Sequence, residues 1–131
     1  MEQQTVQHPI AVLVYEDLEG IYRHLVEAFQ LGPGHLARDE SGRVIHAELD
    51  VGRSVVWLHA ESERFSLRSP ATLHGATSSM AVMVTDVDGH FQHARAHGAV
   101  IEYEPVDQPY AYREYSARDP EGGLWSFMAA L

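Results

Sequence analysis

The sequence predicts an α+β fold in which two βαβββ modules form a curved mixed-sheet cleft. An internal repeat is the first ground. Asp17-Leu-Glu-Gly-Ile-Tyr-Arg-His24 aligns with Asp86-Val-Asp-Gly-His-Phe-Gln-His93, 69 positions later. The second ground is element order: one apolar strand precedes each copy and three strands follow it. The hairpin glycines Gly52 and Gly122 keep nearly the same offset. At 131 residues the chain reads as one domain over 1–131, with modules at 8–60 and 79–131 joined by a linker at 61–78.

The elements follow from composition and spacing. Pro9-Ile-Ala-Val-Leu-Val-Tyr15 is an apolar, β-branched run, hence a strand. Asp17 caps a helix whose apolar stripe is Leu18, Ile21, Tyr22, Leu25, Val26 and Phe29, and Gly32-Pro33-Gly34 ends it. His35 to Asp39 is a short strand. Val44 to Asp50 and Arg53 to His59 are strands around the Val51-Gly52 turn. The polar stretch from Ala60 to Ser78 reads as a loop. Ser79 to Thr85 is the matching apolar strand. Asp86 caps a second helix that buries Val87, Phe91 and Ala94 and stops at Gly98. Ala99 to Glu104 is a strand, and Pro105 to Ala111 a loop. Tyr112 to Arg118 and Leu124 to Phe127 form a hairpin around Asp119-Pro-Glu-Gly-Gly123.

Composition excludes several chemistries. There is no cysteine, so no disulfide, thiolate ligand or Cys nucleophile. All nine basic residues are Arg, which removes Schiff-base chemistry and a phosphate-loop Lys. A net charge of -10 opposes nucleic-acid binding. No apolar run is long enough to span a membrane. The start, Met1 to His8, lacks the basic and apolar segments of a signal peptide, so the expected location is cytoplasmic.

On these residues the chain resembles the vicinal oxygen chelate superfamily, which includes glyoxalase I, bleomycin-resistance proteins, extradiol dioxygenases and fosfomycin-resistance enzymes. The resemblance runs from about Pro9 to Met128. It is carried by Val14-Tyr-Glu-Asp17, His46-Ala-Glu-Leu-Asp-Val-Gly52, Val84-Thr-Asp-Val-Asp88 and Arg113-Glu-Tyr-Ser-Ala-Arg-Asp-Pro-Glu-Gly-Gly-Leu-Trp-Ser-Phe127. The last stretch is most similar to the bleomycin-resistance-like branch. The resemblance implies paired modules, commonly in a homodimer with sites between modules. Metal-using relatives place one His, Gln or Glu on each of four strands. The matching positions here are Ile10, Trp57, Met80 or Ser79, and Ser126, none of them a usual divalent-metal ligand. No metal and no cofactor are therefore expected.

Strand alternation then gives a ligand-binding list. Ile10 and Val12 on the first strand, Trp57 and His59 on the fourth, Met80 and Val82 on the fifth, and Ser126 on the eighth are expected to face the cleft. Trp125 and Phe127 are expected to point to the helix. His46, Tyr112 and Tyr115 would supply polar contacts from neighbouring strands. Arg113 and Glu114 read first as surface or dimer-interface charges and second as groups that bind or polarise a ligand, and His24, His90, His93 and His97 read as solvated helix residues. The expected function is metal-independent sequestration of a partly aromatic or cationic small molecule, with Trp57 stacking on it. The alternatives are an enzyme of the same superfamily (a lyase, isomerase or dioxygenase), using either a metal held at other positions or His46, His59 or a Tyr as metal-free acid/base, or a filled-cleft domain with an assembly role. No catalytic residue is assigned. The expected partners are a small-molecule ligand and a second copy of the chain.

Overall fold

The computed structural model describes residues 4–131; the first three residues of the polar start lie outside it. The first sheet comprises β1 (Ala11–Tyr15), β2 (Gly34–Arg38), β3 (Val44–Val51) and β4 (Ser54–Ala60), with α1 (Leu18–Glu27) between β1 and β2. The second comprises β5 (Ser79–Met83), β6 (Val100–Asp107), β7 (Tyr112–Arg118) and β8 (Leu124–Ala130), with α3 (Val87–Ala96) between β5 and β6. The strand orders are β1-β4-β3-β2 and β5-β8-β7-β6. In each sheet the first strand runs parallel to the last, and the other pairs are antiparallel. This is the mixed-sheet fold that the repeat predicts.

The repeat has a local cause. The Asp17 carboxylate accepts from Gly20 N at 3.0 Å, and Asp86 accepts from Gly89 N at the same distance. Each satisfies one of the free amides that open a helix. A Cβ on Gly20 or Gly89 would lie 2.2 or 2.3 Å from its capping carboxylate oxygen, so the glycine lets the cap close.

Each helix covers one face of its own sheet. Leu18, Ile21 and Leu25 of α1 are buried, as are Val87, Phe91 and Ala94 of α3. The helix faces of the two sheets share one core. Phe29, just past α1, packs on Phe127 and Trp125 of β8 with ring centroids 4.9 and 5.6 Å away. Leu25, Phe29, Leu58 and Phe127 are fully buried. Each such side chain contributes about 1.5–3 kcal/mol of hydrophobic stabilisation.

His90 and His93 join the two modules rather than standing in solvent, while His97 stays exposed as expected. The His90 ring receives the Tyr115 hydroxyl at Nδ1 (2.6 Å) and donates from Nε2 to Phe29 O (2.9 Å). His93 Nε2 donates to Glu27 O at 2.7 Å. His24 lies edge-on to Phe29, and its Nε2 is buried without a protein partner. Position on the helix did not reveal the roles of His90 and His93, because Phe29 O and Glu27 O come from the other module.

Two elements differ from expectation. The linker holds a short helix, α2 (Pro70–Leu73), capped by the buried Ser69. Strand β6 runs through Pro105 to Asp107, where a loop was expected. Proline is tolerated there because β6 is an edge strand with irregular register.

Candidate functional site

Each sheet turns its second face away from its helix, and pairing register fixes which side chains stand there. In the first sheet, Val12 pairs with Trp57, Trp57 with Glu48, and Glu48 with His35. The next row is Val14, His59, His46 and Ala37. These residues alternate with buried Ala47, Leu49, Val56 and Leu58, so they form the open face. In the second sheet the matching rows are Ala81, Ser126, Ser116 and Tyr103, then Met83, Met128, Glu114 and Val106.

Val12, Trp57, His46, His59, Tyr112 and Ser126 therefore occupy open faces, and Trp125 and Phe127 point to the helix. Ile10 is half-buried just before β1. Three expected facings are corrected. Met80 pairs with Trp125 and Val82 with Phe127, so both stand on the helix face. Tyr115 also pairs with Phe127; it is fully buried, stacks on that ring and bonds His90. Residues paired across strands share a face, and a one-residue error in β5 exchanges its two sides. The 69-residue offset carries the signal that avoids this error, because it maps Val12 onto Ala81 and Trp57 onto Ser126. Met80 and Val82 still border a cavity of about 500 Å³ at the seam between the sheets, with Pro9, Val51 and Val55.

The first open face centres on Trp57. The His46 ring stands edge-on to it at 5.6 Å, and His59 lies 4.8 Å beyond His46. His46 Nε2 is 2.9 Å from Glu48 Oε2, and His35 Nε2 is 3.9 Å from the same oxygen. The result is an indole with a half-exposed imidazole–carboxylate pair beside it.

The second open face is phenolic and acidic. Glu114, read from sequence first as a surface or dimer-interface charge, is only 5% exposed and accepts the Tyr110 hydroxyl. That bond and partial desolvation push the Tyr110 phenol up to about 12. Tyr112 stands 6.4 Å from Tyr110. Ser126 is nearly buried and shares a 2.5 Å hydrogen bond with Ser116. Sequence reasoning missed Glu114 and Tyr110 as a pair. The signal available was that Glu114 lies two residues from Ser116, on the face that Ser126 defines.

The positions that the resemblance matches to metal ligands carry Ile10, Trp57, Met80 or Ser79, and Ser126. Ile and Trp offer no ligand atom, and the Ser126 hydroxyl is engaged by Ser116. Among the described residues no group of three or more His, Cys, Asp or Glu could hold a metal ion. The family's metal does not fit these residues.

The sequence profile of the Glyoxalase/Bleomycin resistance protein/Dioxygenase superfamily matches residues 8–127. The chain belongs to that superfamily. TioX from Micromonospora sp. ML1 is similar in structure, with TM-score 0.73 and 31% identity, covering 96% of this chain and 100% of TioX. A superfamily member from Sphaerobacter thermophilus matches with TM-score 0.75, covering 94% of this chain and 97% of its own; at 16% identity it speaks for the fold alone. Uncharacterized proteins of Mycobacterium bovis and Mycobacterium tuberculosis are each 29% identical over 117 residues. Those alignments cover 87% of this chain and 77% and 69% of the two relatives. No helix among the described residues is long and apolar enough to cross a membrane.

Proposed function

We propose that this superfamily member is a metal-independent small-molecule binding protein of the bleomycin-resistance-like kind, acting in the cytosol as a homodimer. The observation that carries the reading is Trp57. It stands at a position where metal-using relatives place a ligand, half-buried on an open sheet face between Val12 and Glu48. A flat indole with an imidazole edge beside it suits a planar aromatic guest. Val12, His46, His59, Tyr112 and Ser126 line the same pair of faces. Their incomplete coverage in one chain supports a second copy closing the site; Val12 is 42% exposed and Met83 59%.

The test is a thermal-shift screen of chelator-treated protein against antibiotics and aromatic metabolites. A ligand present at 100 times its Kd adds about 2.7 kcal/mol of stability. The reading expects such a ligand to raise the melting temperature of wild type and to leave Trp57→Ala unmoved. Shifts that require added divalent metal contradict it. One observation supports a second reading, metal-free acid–base catalysis: the 2.9 Å His46–Glu48 pair orients an imidazole beside the indole. Turnover of a bound compound that is lost in both His46→Gln and Glu48→Gln supports that reading over simple sequestration.

A further inference from the structure

Glu114 is a buried carboxylate without a cation. Its hydrogen bond comes from the neutral Tyr110 hydroxyl, and among the described residues no Arg or His nitrogen lies within ion-pair distance. The nearby arginines are committed elsewhere. Arg113 holds Asp88 at 2.9 Å and Asp107 at 3.0 Å, and Arg118 holds Glu102 at 3.1 Å. The chain has no lysine to swing in. Buried charges in proteins are ordinarily paired, because removing an ion from water costs several kcal/mol. Beside this carboxylate stand the phenol rings of Tyr110 and Tyr112, whose faces attract cations. The net charge of -10 draws cations toward the protein as a whole.

We propose that Glu114, Tyr110 and Tyr112 form a subsite for the ammonium or heteroaromatic cation of an organic ligand. The subsite deepens the binding function proposed above and rests on it. Glu114 supplies the countercharge, the two phenols contact the cation's apolar shell, and Met128, the cross-strand partner of Glu114, provides an adaptable wall.

The probes are N-methylquinolinium and its neutral parent quinoline, titrated at pH 8 against the full chain and followed by amide NMR. N-Methylquinolinium is expected to shift the resonances of residues 110–116 and to bind about tenfold tighter than quinoline, the scale of one desolvated cation–π and ion contact. Glu114→Gln should bring the two affinities together while keeping the wild-type circular dichroism. Tyr110→Phe, which keeps the carboxylate and frees its oxygen, should retain the preference. Equal affinities in wild type, a preference that survives Glu114→Gln, or no shift at residues 110–116 would overturn the subsite. A Glu114→Gln effect on sedimentation mass alone would also overturn it, assigning the carboxylate to contact between copies. Quinoline binding that depends on Trp57 but shows no cation preference would sink the subsite and leave the binding function standing.

Discussion

The Tyr15 hydroxyl donates to Asp119 Oδ2 at 2.5 Å, tying the end of β1 to the turn between β7 and β8. Asp119 also accepts from Trp125 Nε1 at 3.0 Å and from the backbone amides of Glu121 and Gly123. Glu121 adds bonds to the amides of Glu16 and Asp17, both 2.8 Å. One carboxylate thus shapes the hairpin turn and fastens it to the other module. Burial beside this carboxylate drives the Tyr15 phenol far above its ordinary pKa. Tyr15→Phe should cost about 1.5–3 kcal/mol, the range for a hydrogen bond to a charged group. Asp119→Ala should cost more, because it orphans several buried donors at once. Urea denaturation of both variants checks the order.

Adjacent residues of β4 face opposite ways, and their truncations should differ accordingly. Leu58 is fully buried under α1, so Leu58→Ala should cost about 2–5 kcal/mol. Trp57 is half-exposed on the open face; Trp57→Ala should cost less than about 2 kcal/mol while removing ligand response. Comparable losses at the two positions would mean that Trp57 is core.

Acid should weaken the contact between the modules. Burial lowers the pKa of His90, helped by the neighbouring His93 and opposed by its bond to Phe29 O. Burial lowers that of His24 too, against the pull of Asp119 and Glu27. A histidine whose folded pKa lies below its unfolded value binds more protons when unfolded. Its stabilising contribution is full above the unfolded value of about 6.5 and is lost as pH falls from there toward the depressed folded value. Melting temperatures measured from pH 8 to pH 5 should fall in the acid limb, and His90→Gln should flatten that fall.

Strong periodic signals made most of the fold legible in the sequence. Asp17 and Asp86, with the glycines three residues on, mark both helix starts, because the cap needs a residue without Cβ there. Trp125 and Phe127 alternate with Ser126 as a strand demands, and their facing follows. The open face of the first sheet was legible for the same reason. Met80 and Val82 were not, since either side of an apolar β5 reads alike until it is aligned with β1. Glu114 was obscured by its type: a Glu beside an Arg reads first as surface, and spacing does not report that it is buried and bonded by Tyr110. The roles of His90 and His93 depend on partners from the other module, which helical spacing does not report.

The central claim is that this superfamily member binds a planar ligand on the Trp57 face without metal. Tryptophan fluorescence of chelator-dialysed protein, titrated with a planar compound that raises its melting temperature, tests it most directly. We predict saturable quenching that persists in chelator and is lost in Trp57→Phe, where buried Trp125 remains as an internal reference. Quenching that appears only after a divalent metal is restored, or that survives Trp57→Phe unchanged, would contradict the claim.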